Sequence, residues 1–489
     1  MQITSVLDTG DWAIDGPGGR GFSSGPDVSR HPETKRLYPN KPPGATLVGL
    51  GAYPLAKWGS ESPTTLRELT FWARILTGLI PTLLLLGCAV WILGEGLPGW
   101  ALGLSMVTYA LATPANSYAH LFYGHQLAGM GLFIGILLLA RAQRQGSPVL
   151  GWVGGLSAGF AVLVEYGAGF AGIPIGLMLL SGLREKRGTT VLLAACVGAA
   201  IPLAALLLYH DMAFGSPWST GYHHVINPDF AEKHGQGFLG LGIPKWEGFY
   251  THILSPDGGL LWWAPLFPAA IYGLYREWTV GTHQREALVF LSIFILMIIV
   301  GAGLSFDGGW RVGPRYLVAA LPGLILGWRR FFSEEHSGLR WFFILSLGIW
   351  ATCINAAAGN LWPHLDLKAI ALPWSDVLRP LLVAGCKPMG IWGLESQLFW
   401  PALVLPSGLF LAICMGSGRL RLLPGFGAAF LGIAILVLLP PSNEPNRERN
   451  LRYIESRHQC GESEKPPTSA PIKPLSLQSP PSLPEEDQS

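Results

Sequence analysis

Between residues 71 and 440 the chain passes through one apolar stretch after another, each bounded by Gly, Pro or a charged residue. Hydrocarbon offers no partner to backbone N–H and C=O groups, so apolar runs of about 20 residues become helices that span a bilayer. Such runs occupy 71–93, 99–114, 124–140, 149–164, 167–182, 190–208, 259–275, 287–305, 315–328, 341–358, 398–416 and 422–440, roughly twelve spans. Composition agrees: 13% of the 489 residues are charged and the mean hydropathy is +0.37. The expected fold class is an all-α, polytopic integral membrane protein. A net charge of +2 provides no basic field for nucleic acid, which is excluded as a partner. The six cysteines form no CxxC pair, and Cys88, Cys196, Cys353 and Cys414 lie in apolar runs, so neither a disulfide framework nor a zinc site is implied.

Short loops rich in Lys and Arg stay cytoplasmic. "RAQRQ", "LREKRG", "YREW…HQRE", "WRRFFSEEHSGLR" and "GSGRLR" all fall on one side when the spans are counted through. The opposite side then receives residues 1–70, the tip at Glu165 and Tyr166, long loops near 209–257 and 359–397, and a short one ending at Pro314. Three regions result: an external loop with an interfacial helix over 1–70, a multi-span domain over 71–440, and a disordered Pro/Ser-rich tail over 441–489. Residues 1–70 hold no apolar segment able to carry them across a membrane, so either a first span lies upstream of Met1, which is the expectation because five loops agree on orientation, or the orientation is the reverse. The expected location is the cell (inner) membrane.

The external segments hold the chemically varied residues. In "ITSVLDTGDWAID", Ile3, Val6 and Leu7 share a helical face that suits the interface, with Trp12 among headgroups. In "LYPNKPPGATL", Pro42 and Pro43 predict a polyproline-like backbone that fixes Lys41, and a fixed ammonium at headgroup level suits a lipid phosphate. The plainer alternative is a snorkelling lysine. Asp27, in "SSGPDVSR", is the carboxylate expected to act as base, although Asp in such a segment commonly only forms a turn; Asp8, Asp11 and Asp15 are weaker candidates. Glu165 stands at the tip of an apolar hairpin, either lining a cavity or solvated. Trp218 and Tyr222 suit stacking on a sugar ring. The adjacent His223 and His224 match no metal spacing, and Trp246, Trp262 and Trp263 suit an aromatic belt.

The order of motifs adds a resemblance. Gly10, Asp11 and Trp12, followed by Tyr38, Lys41, Pro42 and Pro43, resemble the first external loop of the GT-C glycosyltransferases that use polyprenyl-phosphate sugars, the group that includes aminoarabinose transferases and protein O-mannosyltransferases. "TPANSYAHLFYGHQLAGMGLF" is similar to their second external juxtamembrane helix, "AVLVEYGAG" to a later hairpin, and "GGWRVGPRYLVAALP" to a loop of bacterial relatives. The resemblance runs from Ile3 to about Pro322 and implies inverting transfer of a sugar from a polyprenyl-phosphate donor to an acceptor in the envelope. Lys41 is the first candidate for the donor phosphate and Arg315, in "GPRY" at an outer membrane edge, the second, its plainer alternative being an interfacial anchor; Tyr38, His125, Glu165, Trp218, Tyr222 and Trp310 are the candidates around the substrate. Two departures stand out. The group's usual base would fall ahead of Met1, and His125 occupies the place of a second Asp. A phosphate leaving group needs cations more than an acid, and a hydroxyl acceptor needs a base. No cofactor is expected, and assistance by a divalent ion is left open. The alternatives are a transporter or flippase, whose charges would normally lie at mid-membrane, and a catalytically inactive, truncated relative.

Overall fold

The computed structural model describes residues 2–15, 27–58, 66–305, 311–361 and 372–384, with Glu448. The protein is an all-α polytopic membrane protein; among the described residues the one sheet is a two-stranded hairpin. The outer segment comprises α1 (Gln2–Thr9), the hairpin strands β1 (Val28–Arg30) and β2 (Leu37–Pro39), α2 (Gly44–Gly49) and α3 (Ala52–Lys57). There follow α4 (Leu66–Arg74), α5 (Ile80–Leu93), α6 (Gly99–Leu111), α7 (Ala115–Ala119), α8 (Gly124–Gln145), α9 (Pro148–Val164), α10 (Gly172–Ser181) and α11 (Gly188–Phe214). The second half holds α12 (Pro228–Gly235), α13 (Trp246–Phe249), α14 (Leu260–Trp263), α15 (Phe267–Val280), α16 (Gln284–Gly303), α17 (Leu324–Ser333), α18 (Gly338–Leu361) and α19 (Arg379–Val383).

Helical segments lie at every expected span up to 341–358, while 398–416, 422–440 and the tail lie outside the described residues. Among the described residues six helices are long and apolar enough to cross a bilayer: Glu68–Leu93, Gly124–Gln145, Tyr166–Arg184, Gly188–Phe214, Gln284–Gly303 and Gly338–Leu361. Gly99–Leu111 and Pro148–Val164 are shorter and apolar. Two expected spans are composite. The run 259–275 breaks after α14, where Ala264 leaves helical geometry and Pro265 brings no N–H. The run 315–328 begins as a 3-10 helix, Arg315–Gly323, before α17.

α9 is the hub of the site's scaffold. Gly151, Gly155 and Gly159 repeat every four residues along the side that meets α11, and a Cβ on Gly155 would come 2.0 Å from the Ala195 carbonyl oxygen. Small residues of this spacing let helix backbones approach closely where no hydrophobic force drives them together. On its other side α9 meets α8, where Ser157 Oγ donates to the Gly131 carbonyl at 2.9 Å. The two helices are joined by a short turn and run antiparallel, so the end of α9 lies beside the start of α8. The outer surface of α11 is apolar and exposed at Leu193, Val197, Ile201 and Leu208, as lipid contact requires.

The arginine-rich loops meet at one end of the bundle. Arg144 pairs with Glu286 at 2.5 Å, Arg276 with Glu334 at 3.2 Å, and Arg285 with Glu185. These pairs tie four of the five loops together; the fifth, around Arg419 and Arg421, lies outside the described residues. The hairpin, Glu165, Arg315 and the segment after α11 gather at the other end.

Two features of the outer segment differ from expectation. Pro43 has φ −79° and ψ −7°, so the ring that was expected to extend the chain instead starts α2. Lys41 is thus fixed just ahead of a helix rather than in a polyproline run. Helix α1 packs on protein: Ile3 is buried with Ala52, Leu69 and Ala73, and Trp12 meets the Tyr209 ring edge-on at 5.8 Å. Gln2 clamps the helix, donating to Tyr209 Oη at 3.1 Å and accepting from Thr46 Oγ1 at 2.8 Å.

Candidate active site

The hairpin register pairs Val28 with Pro39, Ser29 with Tyr38 and Arg30 with Leu37. One step further out, Asn40 N donates to the Asp27 carbonyl at 3.1 Å, which brings Asp27 level with Lys41. Lys41 Nζ lies 3.2 Å from Asp27 Oδ1, and Asn40 Nδ2 donates weakly to the same oxygen at 3.4 Å. Desolvation works against the Asp27 charge, yet Lys41, by charge and hydrogen bond, and the Arg315 guanidinium hold its carboxyl below the usual range. On Lys41 desolvation likewise opposes the charge, and the Tyr222 oxygen and Asp27 outweigh it, so its pKa lies above the usual lysine value.

The segment after α11 docks on this hairpin. Ser29 Oγ donates to the Gly221 carbonyl at 2.6 Å, and Ile226 N to the Val28 carbonyl at 3.0 Å. A 3-10 turn, Gly221–His224, is closed by a reciprocal cap between Thr220 and His223. These contacts bring the Tyr222 ring under Lys41, with Nζ 5.0 Å from the ring centre and 3.5 Å from Oη. Tyr222 also stacks on His234 at 4.2 Å and meets Tyr166 edge-on at 5.4 Å. His210 Nδ1 faces the Pro217 carbonyl at 3.1 Å and so carries the proton there; Nε2 then accepts from Tyr166 Oη at 2.8 Å.

Glu165 caps the end of α9, and His125 stands in the first turn of α8. Their antiparallel packing places Glu165 Oε1 3.1 Å from His125 Nδ1. Gly124 makes this approach possible, since a Cβ there would lie 2.9 Å from Val164 Cγ1 and 3.0 Å from Glu165 Oε1. Gly44 lets α2 abut the same corner, where a Cβ would come 2.6 Å from the Leu163 carbonyl. Lys41, three residues earlier, is thereby brought to Glu165. Desolvation raises the Glu165 pKa to about 7, against the pull of Arg315 and Lys41. Tyr118 and Tyr123 enclose His125, at 5.3 Å edge-on and 5.7 Å stacked.

Arg315 opens its 3-10 helix against α8, where Ala319 and Pro322 press on Gly129. The turn before it needs Gly313, whose φ is +59° and where a Cβ would meet the Trp263 ring at 2.9 Å. Buried Arg311 anchors the same turn through Asp257 at 2.9 Å, and Val312 N donates to Tyr118 Oη at 3.3 Å. The Arg315 guanidinium lies 5.2 Å from the Tyr316 ring centre.

Of the residues expected at the site, Asp27, Lys41, His125, Glu165, Tyr222 and Arg315 therefore come to one corner. Tyr38 does not: it is 5% exposed, packed with Ala13, Tyr209 and Phe214 under the hairpin. An aromatic that alternates with outward residues in a short strand goes to the covered side. Trp218 is 80% exposed, and Trp310 lies outside the described residues. Asp11 caps a turn through the Ala13 N–H at 2.9 Å, and both it and Asp15 pair with Arg36. Sequence reading passed over Tyr118, Tyr123, Tyr166, His210 and the Arg311–Asp257 anchor. "RVGPR" held a signal for the last, because a second arginine beside a turn commonly fixes the loop that presents the first.

No family model matches the chain, and no curated sequence matches it. Among solved structures, it is similar to ArnT from Cupriavidus metallidurans bound to undecaprenyl phosphate, at 14% identity and a TM-score of 0.41, over 88% of this chain and 71% of that one. It is similar to the oligosaccharyltransferase of Archaeoglobus fulgidus at 14% identity and a TM-score of 0.44, over 96% of this chain and 56% of that one. It is also similar to the arabinosyltransferase EmbB from Mycobacterium smegmatis at 13% identity and a TM-score of 0.42, over 89% and 37%. Each is a GT-C glycosyltransferase, the class that the sequence motifs resemble. The chain spans just over half of the second protein and about a third of the third.

Proposed function

We propose that the protein is a membrane glycosyltransferase that moves a sugar from a polyprenyl-phosphate donor to an acceptor hydroxyl at the extracytoplasmic surface. The observation that carries this reading is the convergence of Lys41 and Arg315, 274 positions apart in sequence, on the corner that holds Glu165. Two cations with different geometry suit one phosphodiester: the ammonium as a point charge, the guanidinium as a two-pronged donor. In the transition state, negative charge grows on the phosphate, and cations already in place stabilise it without reorganising. Asp27 and the Tyr222 ring flank the ammonium, and with His234 stacked on it and Lys41 over it Tyr222 supports Lys41 rather than presenting a face to the sugar.

The site's position at the end of the helices favours an enzyme over a carrier, whose ionisable groups would sit mid-span. The test is transfer by the purified full-length chain in vesicles, supplied with undecaprenyl-phosphate sugars and followed by release of undecaprenyl phosphate. Release that depends on Lys41 supports the reading. Absence of release, together with uptake of a sugar or lipid-linked sugar into the vesicle lumen, would establish a transporter instead.

A further inference from the structure

Resting on the glycosyl-transfer reading, we infer that Glu165, positioned by His125, accepts the proton of the acceptor hydroxyl, and that Asp27 does not. Asp27 is engaged: its Oδ1 faces both Lys41 and Asn40, and taking a proton there would break the pair that holds the ammonium. Glu165 lies on the same corner with a side chain 28% exposed, open enough to meet a hydroxyl and enclosed enough to exclude bulk water. The His125 ring packs beside Oε1, with Nδ1 3.1 Å away, leaving Oε2 for the acceptor. Helix packing fixes the arrangement, because the Gly124 contact sets the distance between the two side chains.

The step balances without a further reactant. The hydroxyl oxygen bonds to the anomeric carbon as the bond from that carbon to the phosphate oxygen breaks. The bonding pair leaves with the phosphate, held by Lys41 and Arg315, and the hydroxyl proton passes to Glu165. A base is most effective when its pKa lies near the working pH, and desolvation places Glu165 at about 7. The charged and titratable groups that bear on Glu165 are His125 from α8, Arg315 from the 3-10 helix, Lys41 before α2, Tyr222 from the docked turn and Tyr166 beside it. Glu165 must be ionised to act, so turnover should fall as pH drops below its pKa.

Two measurements on the full-length protein in lipid nanodiscs decide the matter. Infrared difference spectra should show a protonated-carboxyl band that titrates near neutral pH in the wild type and is missing in Glu165→Gln. Bound undecaprenyl phosphate offsets the Lys41 and Arg315 charges and should move that midpoint upward. In the transfer assay, Glu165→Gln should lower kcat by roughly a hundredfold or more with donor KM little changed, and the acid limb of the pH profile should vanish. Asp27→Asn should keep that limb. His125→Ala admits water beside Oε1 and should shift the limb downward by relieving the desolvation that raises Glu165, and His125→Asn, which refills part of the space, should move it back.

Turnover of Glu165→Gln within a few-fold of wild type, or an acid limb that survives in it, overturns the assignment while leaving the transfer reading intact. A wild-type band that ignores undecaprenyl phosphate, with no transfer from any polyprenyl-phosphate donor, overturns the transfer reading and the base assignment with it. Glu165→Asp serves as a folding control: a band and limb shifted but present support the role, and a folded Glu165→Asp with neither counts against it.

Discussion

Lys41 lies between a carboxylate at 3.2 Å and an aromatic face at 5.0 Å, which leaves its remaining donor directions for a ligand. A hydrogen bond from a charged group is worth about 1.5–3 kcal/mol, so Lys41→Ala should weaken undecaprenyl-phosphate binding roughly tenfold to a hundredfold. Arg315→Ala should do the same, with Arg315→Lys recovering only part because the two-pronged geometry is lost. Binding to nanodiscs measures both, and unchanged affinity in either variant removes that residue from the phosphate site. Asp27→Asn should act in the opposite direction. It removes a negative charge beside Lys41, and an exposed pair of this kind carries about 0.2–1 kcal/mol, so binding should tighten up to about fivefold. The pH sign follows from the lowered Asp27 pKa: the Asp27–Lys41 pair is complete above the ordinary carboxylate value and is lost as pH falls through the lowered one. Lys41, Arg315, Glu165 and Tyr222 stand out in the sequence because charge or an aromatic ring beside apolar runs and turns is conspicuous, but that they share one corner depends on tertiary contacts that no local pattern carries. Tyr38 stood in the same motif as Lys41, but its strand position turns it under the hairpin.

At the scale of elements, the site depends on how closely α9 approaches both of its neighbours. Gly155→Val would drive side-chain carbon into the Ala195 carbonyl and push α9 from α11. Overpacking typically costs 1–3 kcal/mol, and a backbone contact with no side chain to yield belongs at about 3 kcal/mol or more. The expected result is a lower thermal midpoint in detergent and a weaker Glu165–His125 contact; a midpoint matching wild type would show that the helices part without cost. The Gly-x-x-x-Gly-x-x-x-Gly spacing of α9 was open to a sequence reader. The conformation of Arg315–Gly323 was not, because apolar runs look alike whether the backbone is α or 3-10, and tertiary contacts with α8 decide between them. The break at Ala264 was signalled by Pro265 and hidden by the hydropathy on either side. The proline pair after Lys41 was read as extended, yet φ near −79° also suits the first turn of a helix, and the packing of Gly44 against Leu163 selected that alternative.

Across the whole molecule, charge is sorted between two ends. Arg144, Glu185, Arg276, Arg285, Glu286 and Glu334 interlock at one, and Asp27, Lys41, Glu165 and Arg315 meet at the other. The positive-inside rule assigns the first end to the cytoplasm, which puts the proposed donor site on the outer leaflet. That orientation is testable with exposed residues outside both networks. In a cysteine-free background, Glu232→Cys on α12 should react with a membrane-impermeant maleimide in intact spheroplasts. Glu335→Cys, beside the end of α17, should react only after permeabilisation. Both positions are exposed, so burial does not account for a difference between them. The reverse pattern would turn the corner toward the cytoplasm, where nucleotide sugars are at hand, and the lipid-phosphate donor would lose its main topological support. Labelling of both from outside would mean that the spans between them change parity, which would place one of the composite segments, α14–α15 or Arg315–Gly323 with α17, as a re-entrant element rather than a crossing. That outcome has a physical basis in the structure, since a helix broken at Ala264 and a 3-10 run of nine residues are the two segments least suited to lie in hydrocarbon unaided. Labelling from opposite sides keeps them as crossings whose irregular backbone is sheltered by α8, α16 and α18, and leaves the donor site facing outward.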